Sequence, residues 1–193
     1  MNIKEICISI WSMIDPLYFR FSRLDYIENQ FGERTIMRVR LTKYKGRKIT
    51  LSDGTIINKN DLLLKIHLHN VNLLKTIHAY DSDVRRAIVT YKNVQEAMPY
   101  LADYIQNRGY TERIKGLVGI TTLHKGCKRL GFEVHPFQNR YYKSFKKIAL
   151  FPIHLLSCTK LGKEMPVPLY LLMSTGVLLG KYSTQSLKGM GHN

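Results

Sequence analysis

Between residues 34 and 69 the chain alternates apolar and polar side chains in step, and a period of two admits few folds other than paired strands. In Arg34–Tyr44, Met37, Val39 and Leu41 point one way while Arg38 and Arg40 point the other. In Asp61–His69, Leu64, Ile66 and Leu68 share one face, and Lys65, His67 and His69 share the opposite one. Between these runs, Lys48–Leu51 and Thr55–Ile57 flank Ser52-Asp53-Gly54. An Asp-Gly turn between alternating runs predicts a hairpin. Region 34–69 is therefore expected to be a small antiparallel sheet.

The period changes on both sides of that region. Ile3, Ile6, Cys7, Ile10, Trp11, Ile14, Leu17, Tyr18 and Phe21 recur at the spacing of an amphipathic helix, with Asp15-Pro16 placed to end one helix and open another. Asn70 is expected to cap a short helix carrying Val71, Leu74 and Ile77. Asp81 or Asp83 caps a longer one that Pro99 must kink or restart and Gly109 must stop. Ile114–Thr121 reads as a buried strand, Thr122–Leu130 as a short helix ended by Gly131, and Phe132–Phe137 as another strand. The short link between those two strands argues against their pairing in parallel. Pro166–Gly180 is apolar but shorter than the ~20 residues of a membrane span, so a buried core helix is expected, with a shallow membrane-contact segment as the alternative. The whole reads as one α+β domain, residues 1–182, in which a small antiparallel sheet packs with several helices and residues 183–193 form a flexible tail.

Charge then constrains partners. Lys and Arg total 30 against 14 Asp and Glu, a net charge of +16. Such a field calls for an anion: nucleic acid, anionic lipid, or a phosphorylated or acidic ligand. Cys7, Cys127 and Cys158 are odd in number and widely spaced, which suits thiols in a reducing cytosol and gives neither a disulfide framework nor a zinc spacing. The N-terminal segment lacks the cleavage site of a signal peptide. A cytoplasmic protein, peripheral at the inner face of the membrane, is the expectation.

The residues with the most chemistry lie on the polar strand face. Arg38 and Arg40 share a face at i, i+2, and His67 and His69 repeat that arrangement on the neighbouring strand. Arginine forks match phosphate and carboxylate oxygens, and histidine handles protons near neutrality. These four are the expected ligand-binding residues, set against the alternative of a plain solvated face. His67 and His69 also form a chelating pair, but Asp53, His78 and Asp81 are merely available as further ligands, so no metal is expected. No catalytic residue can be named: Cys127 fits a core position, His124 and His135 have no triad around them, and Gly116-Leu-Val-Gly119 matches neither phosphate-loop pattern, so no cofactor is expected. Lys143, Lys146 and Lys147, interleaved with Tyr141, Tyr142 and Phe145, suit a membrane interface with snorkelling lysines or a stacking surface for single-stranded nucleic acid.

Several stretches together resemble a known family. Trp11–Tyr18 (WSMIDPLY), Met37–Gly46 (MRVRLTKYKG), Leu51–Thr55 (LSDGT), Lys59–Asn70 (KNDLLLKIHLHN) and Gly131–His135 (GFEVH) are similar to the YkoP-like family of Gram-positive spore-formers. Members occur alone or fused to polysaccharide deacetylase domains. The resemblance implies an accessory role in cell-envelope polysaccharide metabolism. Its partners would be an anionic ligand or membrane surface and a polysaccharide deacetylase or another envelope-synthesis protein. It supplies no catalytic residues. Two alternatives stand beside it. One is a transferase acting on an acyl or glycosyl precursor: Cys127–Phe132 is similar to a late step in Gcn5-like acyltransferases, whose pyrophosphate loop is absent. The other is a nucleic-acid-binding protein, supported by charge alone.

Overall fold

The computed structural model describes residues 9, 12, 13, 15, 16, 19–122, 126–158 and 164–183. The two alternating runs form the strands their period predicts. β2 (Arg34–Lys43) pairs antiparallel with β5 (Leu62–Leu68), from Met37 opposite Leu68 to Lys43 opposite Leu62. The Asp-Gly hairpin also forms, as the separate two-stranded β3 (Ile49–Thr50) and β4 (Ile56–Ile57). Gly54 takes a positive φ of 84° at its tip, a conformation that costs glycine nothing.

The main sheet is larger than region 34–69 alone. β1 (Asp25–Glu28), β6 (Gly116–Thr121), β7 (Glu133–Pro136) and β8 (Leu169–Ser174) extend it to six strands in the order β1-β2-β5-β6-β8-β7. All pairs are antiparallel except β5 with β6. That parallel pair needs a long crossover. The crossover is α1 (Asn70–His78) and α2 (Asp83–Asn107). β6 and β7 are not neighbours; β8 lies between them and pairs antiparallel with both.

Pro166–Gly180 departs from expectation. It is buried, but it is not one helix: Leu169–Ser174 is strand β8, and α4 (Thr175–Tyr182) follows, started by the Ser174 side chain accepting from Val177 N–H at 3.0 Å. β8 is flanked by strands on both sides and its last four residues are buried, so no polar face marks its period. A continuous apolar run of that kind reads equally as strand or helix.

The two helices expected between Asn70 and Gly109 form, with adjusted ends. His69 and Ser82 occupy the N-cap positions of α1 and α2, each one residue from an expected cap. α2 runs through Pro99 and ends before Gly109, which adopts a positive φ of 62°. Thr122–Leu130 yields only a single 3₁₀ turn, Cys127–Leu130, closed by Gly131; residues 123–125, His124 among them, lie outside the described residues. Arg140–Thr159, left without an assigned element in the sequence, contains α3 (Arg140–Ser157), capped by Asn139, whose side chain accepts from Tyr142 N–H at 3.1 Å. Ser9, Ser12, Met13, Asp15, Pro16 and residues 19–21 are helical; most of the apolar N-terminal positions, and the tail from 184 onward, lie outside the described residues.

Two cores divide the sheet faces. On one, Met37, Val39, Leu64, Leu117 and Met173 pack against Met98, Leu101 and Ile105 of α2 and Leu178 of α4. On the other, the β3–β4 hairpin covers only part of the sheet, burying Leu51 and Ile57 against Leu63, Val118 and Leu172. The hairpin is tied down at its tip, where Ser174 Oγ donates to Asp53 at 2.5 Å and Ser52 N–H donates to Glu133 at 2.7 Å. The part of that second face beyond the hairpin carries Arg40, Lys65 and His67, all partly buried, and Arg38, which is buried beside Asp15 and Phe19 of the N-terminal helical segment.

Candidate functional site

Strand register decides which polar groups meet. Arg38 lies directly opposite His67, and Arg40 directly opposite Lys65. Directly opposite residues on one sheet face stand about 5 Å apart at Cβ. All four predicted residues therefore belong to one face, with His69 at its end. Their surroundings then split them into two groups.

The first group is charge-compensated. Arg38, only 2% exposed, donates from Nη1 to Asp15 Oδ1 at 2.9 Å and from Nη2 to Asp15 Oδ2 at 2.5 Å. Its Nη2 also donates to the Tyr26 hydroxyl at 2.7 Å, and its guanidinium lies 5.2 Å from the Phe19 ring centroid. His69 Nε2 is 3.3 Å from the same Asp15 oxygen, and its ring meets Tyr26 edge-on. Burial alone would lower the Arg38 pKa, but the bonds and attraction of Asp15 raise it above its ordinary value. His69 is held below its ordinary value by burial and by Arg38, with Asp15 opposing. The Arg38 fork is thus filled by a carboxylate of the protein itself. Asp15, from the N-terminal helical segment, is locked onto the sheet by it.

The second group has no such compensation. Arg40, Lys65 and His67, joined by Lys146 from α3, form a cluster in which no ion pair to a carboxylate exists among the described residues. Arg40 Nη1 makes one long bond, 3.5 Å, to the Ser22 carbonyl. Arg40 Nε and His67 Nε2 are buried and have no hydrogen-bond partner among the described residues, as is also true of Arg38 Nε and His69 Nδ1 in the first group. Burial, with repulsion from Lys146 and Arg40, lowers the Lys65 pKa from 10.5 to about 8. Burial, with repulsion from Lys65, Arg40, Lys146 and Arg38, lowers that of His67 from 6.5 to about 3. His67 is therefore a neutral imidazole near neutrality, able to give or take a hydrogen bond but a weak base.

Cations held together and partly dehydrated, beside an unsatisfied imidazole, suit the capture of an anion. They do not assemble a nucleophile or a general base. Cys127 packs at the margin of the main core, and burial pushes its thiol upward, away from thiolate reactivity. Of the further groups available to a metal beside His67 and His69, Asp53 is engaged by Ser174 and Thr55. Among the described residues no group of three or more His, Cys, Asp or Glu is placed to hold a metal ion. An open depression of about 510 Å³, lined in part by Asn29, Arg34, Asn72, Thr76 and Glu96, includes none of the cluster residues.

Two members of the cluster were missed in the sequence. Lys65 was legible, because the period that pairs His67 with His69 puts Lys65 on the same face. Lys146 was not, because only the packing of α3 over the sheet brings it there; its ammonium lies 5.2 Å from the Tyr142 ring, which itself packs on Phe137 and Tyr170. Asp15 and Tyr26 were likewise invisible as partners of Arg38.

No helix among the described residues is long and apolar enough to cross a membrane. The chain is similar to the uncharacterized protein YkoP of Bacillus subtilis (strain 168), 45% identical over 181 residues that cover 93% of this chain and 98% of that protein. No solved structure matches it. The YkoP domain family matches residues 4–182, and with that coverage and that relative the chain belongs to the YkoP domain family.

Proposed function

We propose that this protein binds a phosphate- or carboxylate-bearing ligand at the Arg40, Lys65 and His67 part of its sheet, as an accessory of cell-envelope polysaccharide metabolism. The observation that carries the reading is the cluster of Arg40, Lys65, Lys146 and neutral His67, gathered without a carboxylate partner among the described residues. An arriving anion relieves the repulsion among the cations. It also offers acceptors to Arg40 Nε and to the Lys65 ammonium, while a protonated ligand oxygen or amide suits His67 Nε2. Arg38 and His69 act from behind, by fixing Asp15 and the N-terminal helical segment at the edge of the site. The envelope assignment rests on the family resemblance, which makes a lipid-linked or polymeric sugar phosphate the natural ligand class and a polysaccharide deacetylase or another envelope enzyme the natural partner. The transferase alternative has less support, since His67 is too weak a base for proton abstraction near neutrality.

The test is a calorimetric titration with pyrophosphate at constant ionic strength. The wild type should bind, and Arg40→Gln/Lys65→Met should lose at least about tenfold in affinity while keeping its circular dichroism spectrum. Equal affinity in the variant, or no saturable binding by the wild type, would remove the anion site.

A further inference from the structure

α3 presents an apolar stripe to solvent. Tyr141 (89% exposed), Phe145 (61%), Ile148 (74%), Phe151 (51%) and Leu155 (37%) all lie on its outer side. At about 100° per residue they fall within roughly 120° of the helix circumference. A stripe that wide normally faces a core; here only Leu156 of the helix is fully buried. Exposed Pro152 falls within the stripe, and Arg140 and Lys147, also exposed, fall on one margin. Residues 140–157 contain no Asp or Glu. Lys146 sits at the boundary between this stripe and the cationic cluster, its ammonium 5.4 Å from the Phe145 ring.

We infer that α3 docks flat on an anionic lipid bilayer, with Tyr141, Phe145, Ile148, Phe151 and Leu155 entering the headgroup boundary and Arg140 and Lys147 reaching the lipid phosphates. An amphipathic helix with aromatic and aliphatic residues on one side and basic residues on its border is built for that position. Charge selects this occupant over a second copy of the chain: two molecules at +16 repel each other, and the stripe offers no acid to meet its own lysines. A negative lipid surface attracts the whole molecule and the helix border alike. Docked in this way, the protein holds its cationic cluster beside the membrane surface, within reach of headgroup phosphates.

The experiment is vesicle co-sedimentation with pure phosphatidylcholine and with mixed phosphatidylcholine–phosphatidylglycerol vesicles, at low and high salt. The wild type should sediment with the mixed vesicles, less so at high salt, and not with the pure ones. Ile148→Ser/Phe151→Ser, at exposed positions, should keep the circular dichroism spectrum and weaken that binding about tenfold or more while pyrophosphate affinity stays unchanged. Arg40→Gln/Lys65→Met should still dock, so the loss of one property does not mimic the loss of the other. Three results would overturn the inference. The first is equal vesicle binding by Ile148→Ser/Phe151→Ser, which reduces the effect to adsorption by net charge. The second is no vesicle binding by the wild type. The third is a stripe variant that loses self-association in sedimentation velocity, or loses binding to a single-stranded oligonucleotide, in place of vesicle binding.

Discussion

At the scale of single residues, Arg38 shows how one side chain carries different meanings before and after folding. The sequence places it on a polar strand face beside Arg40, and both read as anion ligands. Folding buries Arg38 and gives its two terminal nitrogens to Asp15, while Arg40 has no carboxylate partner among the described residues. A buried charge that loses its partner is strongly destabilising, about 3–5 kcal/mol, whereas replacing both partners is far milder. Asp15→Ala should therefore lower unfolding free energy in urea by about 3 kcal/mol. The double variant Asp15→Ala/Arg38→Met should regain most of that loss. A single variant no worse than the double would show that the pair is not buried in solution. The contrast was not legible in the sequence, because Asp15 is 23 residues from Arg38 and in a helical segment, so no local pattern links them.

At the scale of elements, periodicity succeeded where one face of an element meets water and failed where neither does. β2 and β5 were read correctly because their charged face survives in the sequence. β8 was merged with α4 because both of its faces are covered. β6 shows the same burial from the inside. A Cβ at Gly116 would overlap the Met173 carbonyl oxygen and crowd the Ser174 Cα at 3.0 Å, so the close approach of β6 and β8 there requires glycine. At Gly119 a Cβ would meet only the Leu171 side chain, Cβ at 3.6 Å and Cδ1 at 3.8 Å, both ordinary contacts. Gly116→Ala should thus cost about 2–3 kcal/mol and Gly119→Ala less than about 1 kcal/mol, measured by chemical denaturation. Similar costs at the two positions would contradict the packing of β6 on β8. The Gly116-x-x-Gly119 spacing, which matches neither phosphate-loop pattern, marks close packing of β6 on β8 at Gly116.

At the scale of the whole molecule, net charge and pH act together. Lys65 falls from 10.5 to about 8 on folding, so between those values the unfolded chain holds a proton that the folded one has released, and stability rises with pH across that window. His67 falls from 6.5 to about 3, so as pH drops below 6.5 the unfolded chain takes up a proton that the fold refuses, and stability declines. Lys65→Met should flatten the alkaline rise and raise the melting temperature at neutral pH, because it removes a dehydrated cation from a repelling cluster. Thermal melts across the pH range check both, and an unchanged alkaline slope would show that Lys65 is solvated. Stability and ligand binding are opposed at this cluster, as expected where unopposed charge is kept for a partner. What the sequence by itself determined is what repeats locally: the α+β class, the paired strands of 34–69, the hairpin turn, the helix stops at Gly109 and Gly131, and the excess of positive charge. Each follows from side-chain period or backbone freedom within a few residues. Only the tertiary structure decided that Asp15 cancels Arg38, that Lys146 of α3 joins Lys65 and His67, that β8 is an interior strand and that the stripe on α3 is left bare. Those outcomes depend on which distant surfaces meet, and burial and Coulomb interaction act through space rather than along the chain.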